Sequence, residues 1–280
     1  MTMQQEVEVK IMFDFFTEQF MQYALYLGLA LAVAAAFLSP YLVLSHQAMI
    51  ADGIAHISFT GISIGLLLSS QALYFAIPFA IIASIAITIL TEKANMQNDA
   101  SISVVSAFAL AIGLIIVTVG DGFNRSIESL LVGSILTVST SEVQLAIILM
   151  VITIVFVLAF YRPLLAMTYD PEYAKFSGVK TSLLKYSLAA LTAVFVVIGV
   201  KTVGILLISA YTIFPALISN QLVKSFKLTL VGGVVIAIFT IFIGITLSYH
   251  LNLPTGSTIV VVYTILLIGA YLLRRILRRN

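Results

Sequence analysis

The chain has 280 residues, of which 61% are hydrophobic and 9% charged, with a formal net charge of +2 and no cysteine. A soluble domain carries about 25% charged residues, so the composition excludes one and leaves an integral membrane protein of several helices. A net charge of +2 says nothing about nucleic acid, and without cysteine there is no disulfide framework, thiolate metal site or cysteine nucleophile.

Residues 1–19 are a polar, weakly amphipathic lead-in. They hold Glu6, Glu8, Lys10, Asp14 and Glu18 instead of the basic n-region of a cleavable signal peptide. Residues 20–44 are the first apolar run, long enough to span with tilt, and Pro40 near its end predicts a kink. After a polar break at 45–49, a second segment runs over 50–68 and a third over 73–90. A loop at 91–99 holds Glu92 and Lys93. The fourth span is 103–119, ending at the polar run 120–125. Residues 127–138 are apolar but too short to cross. They read as an interfacial or re-entrant helix, tolerated at depth only under cover of protein or a cavity.

The fifth span is 143–160. Residues 161–185 form the longest polar stretch, with Arg162, Lys175, Lys180 and Lys185. Within it Asp170 is suited to an N-cap and Pro171 to the first helical position. The apolar region 187–218 is broken at 199–204, giving short spans at 187–198 and 205–218 with Lys201 at the break. Spans at 227–249 and 257–273 complete the set. The positive-inside rule places Arg274, Arg275, Arg278 and Arg279 in the cytoplasm. Counting backwards places the 161–185 loop and the Glu92/Lys93 loop there too. The result is nine crossings with an external N-terminus, or eight if 199–204 is re-entrant. No internal repeat is visible, so 20–275 reads as one transmembrane domain between the 1–19 lead-in and a basic tail at 276–280.

The second span is apolar enough for a bilayer yet carries Asp52 and His56. Four residues apart, they share one helix face. Ionisable groups in hydrocarbon are costly and face the protein interior or a polar cavity. Carboxylate oxygen and imidazole nitrogen together suit zinc, manganese or iron, so the pair reads as a station for a divalent metal. The other reading is an ion pair that orders the bundle.

Other chemistries lack support. The sequence has neither a P-loop nor an H-E-x-x-H motif. Gly61-x-x-x-Gly65 is a small-residue packing motif. His46 and His250 fall near span ends and read as interfacial. Lys201 reads as a gate or interfacial charge, since an ammonium repels a cation. Asp121, Glu128 and Glu142 fall on the external side, as an acidic mouth or as solvated loop charge.

Four stretches carry a family resemblance. Asp52-Gly-Ile-Ala-His56 with Gly61 and Gly65 resembles the signature helix of the membrane permease subunits of bacterial zinc and manganese ABC importers, the ABC-3 metal permeases. Leu131-Val-Gly-Ser-Ile-Leu-Thr-Val-Ser139 is similar to that family's Gly-x-(Ile/Leu)-Leu element. Val203-Gly-Ile-Leu-Leu-Ile-Ser-Ala-Tyr-Thr-Ile-Phe-Pro-Ala216 is similar to its Val-Gly-(apolar)-Ser-Ala-(apolar)-Pro-Ala helix. Leu253-Pro-Thr-Gly-Ser-Thr-Ile-Val260 matches its Pro-x-Gly turn before the last helix. Order and spacing agree over about 20–275. The chain departs from the pattern with Tyr211 and Thr212 in place of aliphatic residues, and with no basic residue in Ser45-His-Gln-Ala-Met49.

The resemblance implies an all-α polytopic bundle of the type II ABC importer kind, in a bacterial plasma membrane. It implies a homodimeric, non-catalytic permease surrounded by lipid, with no resident cofactor and no nucleic-acid partner. Cytoplasmic ATP-binding subunits would drive it, and an extracellular metal-binding protein would deliver the cargo. Asp52 and His56 fall on the family's metal ligands. Asp170, Pro171, Glu172, Ala174 and Gly178 fall on its coupling helix. The wording around 50–58 and 214–219 is nearer the zinc branch, with manganese or iron import as the alternative. An ion-coupled secondary transporter is the competing class, though it explains neither the coupling-type loop nor the lack of a repeat. A permease for iron chelates or a vitamin would need no ligand pair.

Overall fold

The structure is a computed structural model, and it describes residues 18–68, 72–94, 96–119 and 138–277. These form helices only: α1 Gln19–Leu44, α2 Ile50–Leu68, α3 Ala72–Lys93, α4 Asn98–Val119, α5 Thr140–Ala159, α6 Tyr161–Tyr169, α7 Pro171–Phe176, α8 Thr181–Val203, α9 Ile205–Leu222, α10 Phe226–Leu251 and α11 Thr255–Leu277. Helices alone fit a bilayer here, because each satisfies its own backbone where no water can. Residues 127–137 of the expected short helix and the acidic residues Asp121 and Glu128 lie outside the described residues.

Among the described residues, eight helices are long and apolar enough to cross a membrane. The remaining long helix is α2, 19 residues with Asp52 and His56. It forms an antiparallel hairpin with α3, since a Cβ at Gly61 would lie 2.6 Å from the Cα of Ala76. Gly61 therefore acts as the small-residue motif suggests: it lets two backbones meet. On its other side α2 runs parallel to α4. The hydroxyl of Thr60 donates to the carbonyl of Ala109 at 2.6 Å.

Several boundaries differ from the sequence expectation. The loop at 91–99 is shorter, because α4 begins at Asn98, whose side chain donates to the Ser45 carbonyl at 3.1 Å. The polar stretch ends earlier too. Lys185 lies inside α8 and reaches Glu92 of α3 at 2.7 Å. The break at 199–204 shrinks to one residue, Gly204, at φ +89° and ψ 165°, a backbone conformation that a Cβ would strain. The chain turns back sharply there, and the Ile208 side chain lies against Gly199. Both α8 and α9 are long and apolar enough to cross, so the break at 199–204 is a turn between two helices and not a re-entrant segment.

Helix α1 is the hub. Its run of Ala30, Ala32, Ala34, Ala35 and Ala36 is buried, and it packs on α5, α9 and α10. Small side chains allow such close approach where lipid offers no hydrophobic drive between helices. The α1 helix continues through Pro40 to Leu44. In α9, Pro215 removes one amide from the ladder. Ser39 of α1 bridges that place. Its hydroxyl accepts from the Ala216 amide at 3.2 Å and reaches the Ile213 carbonyl at 3.5 Å.

The helix ends fall into two groups. One holds Ser45 with Asn98, Glu92 with Lys185, Gln221 with Arg274, and both short helices α6 and α7. The other holds Glu142 with Lys201, Tyr23 with Thr140, and Ser248 with Thr255. Among the described residues, Lys201 is the one lysine or arginine in the second group. The first end is thus the cytoplasmic one, and the chain is a multi-pass membrane protein.

Candidate functional site

The polar pair sits at the cytoplasmic start of α2. A tight connection precedes it: the Gln47 amide donates to the Leu42 carbonyl at 2.9 Å, and the Ile50 amide to the Gln47 carbonyl at 3.0 Å. His46 in this connection takes φ +55°. With a rise of about 1.5 Å per residue, Asp52 lies roughly 3 Å and His56 roughly 9 Å into the helix. Asp52 is in the first turn, where the helix dipole favours a carboxylate.

The back of this turn is filled. Ile102 of α4 packs so closely on Gly53 that no Cβ fits. Ala51, Ile54, Ala55, Ile57 and Ser58 are buried. The face that remains carries Asp52 and His56, whose side chains are 43% and 36% exposed and whose Oδ2 and Nε2 are 3.8 Å apart. Helices α3, α4, α8 and α9 pack on the other sides of α2, so among the described residues the pair stands on a part-exposed face instead of in the packed interior. Among the described residues no third His, Cys, Asp or Glu joins them. One chain thus offers one carboxylate and one imidazole on a shared, open face.

The other singled-out residues fall elsewhere. His46 and His250 are exposed, His250 in the last turn of α10 with its ring 5.6 Å from that of Tyr249. Lys201 is an interfacial charge in an ion pair, 3.1 Å from Glu142. Glu142 also accepts from the Ser139 amide at 2.9 Å and the Ser139 hydroxyl at 2.8 Å. It closes a capping box on α5, so it is committed to structure and not to an acidic mouth. Tyr211 is buried with its ring edge-on to Tyr263, and Thr212 donates to the Ser209 carbonyl at 2.9 Å. Tyr211 packs inside the bundle, and Thr212 bonds to the backbone of its own helix.

Helix α7 is six residues long and closed at both ends. The Asp170 carboxylate accepts from the Tyr173 amide at 2.9 Å, with Pro171 in the first turn. At the other end Gly178 takes φ +81°. Its amide donates to the Lys175 carbonyl at 3.2 Å, and the Val179 amide to the Ala174 carbonyl at 3.0 Å, a Schellman closure. Ala174 is buried against the body, while Glu172 and Pro171 are exposed. The outward apolar contacts are Tyr173 and Phe176, 64% and 90% exposed. Sequence reading missed these two, although aromatic residues at i and i+3 opposite a small one are a visible signal. A cavity of about 430 Å³ lies behind α7, lined by Ser45, His46, Glu92, Tyr169, Pro171 and Lys185 among others.

The comparisons with known proteins agree over most of the chain. A family model described as the ABC 3 transport family matches residues 17–274. A manganese transport system membrane protein of Listeria monocytogenes is 30% identical over 257 residues, 90% of each chain. A manganese transport system membrane protein of Synechocystis sp. is 29% identical, covering 90% of this chain and 82% of its own length. Among solved structures, PsaBC from Streptococcus pneumoniae in complex with Fab matches with a TM-score of 0.82 at 23% identity, covering 94% of this chain and 95% of that one. At that identity the likeness speaks to the fold.

Proposed function

Because the chain belongs to the ABC 3 transport family, we propose that it is the permease subunit of an ATP-driven importer for a divalent transition metal ion. The observation that carries this reading is the part-exposed face of α2, where Asp52 and His56 stand 3.8 Å apart with no third His, Cys, Asp or Glu beside them among the described residues. Two donors do not complete a tetrahedral shell. A second copy of the chain set face to face supplies another carboxylate and another imidazole, and the four together do. The dimer is thus part of the site. At roughly 3–9 Å from the cytoplasmic start of α2, an ion held there has crossed most of the bilayer and is near release.

The remaining parts follow from the same reading. The chain has no P-loop, so hydrolysis belongs to a separate ATP-binding subunit seated on Tyr173 and Phe176 of α7. An extracellular metal-binding protein delivers the ion at the Lys201–Glu142 end. Carboxylate and imidazole suit manganese, iron and zinc alike. Manganese is the cargo named by the two relatives above and is the one proposed first. Zinc is the second reading, supported by the wording of 50–58 and 214–219.

The test is uptake of radiolabelled manganese and zinc into proteoliposomes holding the chain with its ATPase subunit. ATP-dependent import of one metal, lost in Asp52→Asn, is the expected result. Import that needs no ATP partner, or that is unchanged in Asp52→Asn, sinks the reading.

A further inference from the structure

Phe226 is the first residue of α10 and stands at the meeting point of three tyrosines. Its ring centroid is 5.1 Å from that of Tyr41 in α1, 5.9 Å from Tyr161 and 6.2 Å from Tyr169. Tyr41 is buried. Tyr161 and Tyr169 are the two ends of α6, so α6 straddles the Phe226 ring. Tyr169 directly precedes Asp170, the cap of α7. Tilted and edge-on contacts hold rings at preferred angles, whereas an aliphatic side chain slides.

Helix α7 packs on α6 and α8. A push on α7 therefore enters the bundle by α8 or by α6, and along α6 it meets Phe226. From that ring two paths lead on. One is α10 itself, whose start is fixed by the Ser225 hydroxyl accepting the Leu228 amide at 3.3 Å. The other is Tyr41, which lies in the last turn of α1. Its carbonyl accepts from the Ser45 amide at 3.1 Å, and the Ser45 carbonyl accepts from Asn98 of α4. The connection that follows leads straight into the turn of α2 with Asp52.

We propose that Phe226 is a positioning residue that ties the coupling helix α7 to the α1–α2 connection leading into Asp52 and His56 of α2. The proposal rests on the import reading above. Its content is that the aromatic ring at 226 makes the stroke of the ATP-binding subunit move the pair. It touches no metal itself.

The experiment uses the complex of this chain with its ATPase subunit in proteoliposomes, and reads metal imported per ATP hydrolysed. Changes along a coupling route shift the coupling by about tenfold, so Phe226→Ala should lower the ratio by about that factor while ATP hydrolysis continues. Phe226→Tyr keeps the ring and should keep the ratio. Tyr169→Ala removes an exposed ring of the same cluster without disturbing the core, and should lower the ratio as well. It decides the matter if Phe226→Ala does not assemble. Variants that import and hydrolyse at the wild-type ratio overturn the role of Phe226 and leave the import reading standing. A wild-type complex that imports no metal overturns the import reading, and this one with it.

Discussion

Asp52 Oδ2 and His56 Nε2 lie 3.8 Å apart across one turn of α2. That is too long for a hydrogen bond. It is slightly more than the roughly 3.3–3.6 Å between two donors held at about 2.0–2.2 Å on a tetrahedral metal. A small side-chain rotation closes the difference, so the pair is free to share one ion and is not locked on itself. Because the face is open, the pair also contributes little to holding the bundle together.

That relationship separates binding from stability. Asp52→Asn keeps the shape and removes the charge, and His56→Ala removes the imidazole. Each should lower metal uptake by at least about tenfold, the lower range seen even when a supporting group of a metal site is removed. Thermal melting of the purified protein should not change. Uptake at matched membrane levels and melting in detergent check both halves. Normal uptake in both variants would leave the pair as a structural contact.

Helix α7 gives a second contrast. Phe176 is 90% exposed, so Phe176→Ala should leave melting unaltered yet weaken capture of the ATPase subunit by about tenfold, as central aromatic contacts do. Asp170→Ala removes the cap on the Tyr173 amide and should cost about 1 kcal/mol of local helix stability, with a smaller loss of docking. Crosslinkers placed at Glu172 and Lys175 should reach the ATPase subunit. Labelling of these positions from outside intact cells would overturn the placement.

Gly61 is a packing residue. A Cβ there meets the Ala76 backbone at 2.6 Å, and backbone yields less than a side chain. Gly61→Ala should destabilise the α2–α3 hairpin by about 1–3 kcal/mol, the range for overpacking. A melting temperature equal to wild type would count against so tight an approach.

Glu142 and Lys201 should be unequal. The ion pair is partly exposed and its net worth is about 0–1 kcal/mol, so Lys201→Met should cost little. Glu142→Ala loses the same pair and also the bonds to Ser139, which adds about 0.5–2 kcal/mol of capping. Melting of the two single variants and the double variant measures the difference. Equal losses would mean that the capping box contributes nothing.

The places of the apolar spans, their orientation and the closed ends of α7 were legible in the sequence, because each rests on local chemistry. Apolar length sets a crossing, lysine and arginine set its direction, and Asp170, Pro171 and Gly178 mark the ends of a short helix. The spacing of Asp52 and His56 likewise fixes that they share a face. Which way that face looks was decided only by the tertiary structure. So were the packing of Ile102 behind Gly53, the meeting of Phe226 with Tyr41, and the bridge from Ser39 to Ala216, 177 residues apart. The physical reason is the solvent. In water a helix shows its buried side by an apolar stripe, but lipid is as apolar as a protein core. Every side of these helices is apolar, and only the close packing of distant segments determines which side meets protein.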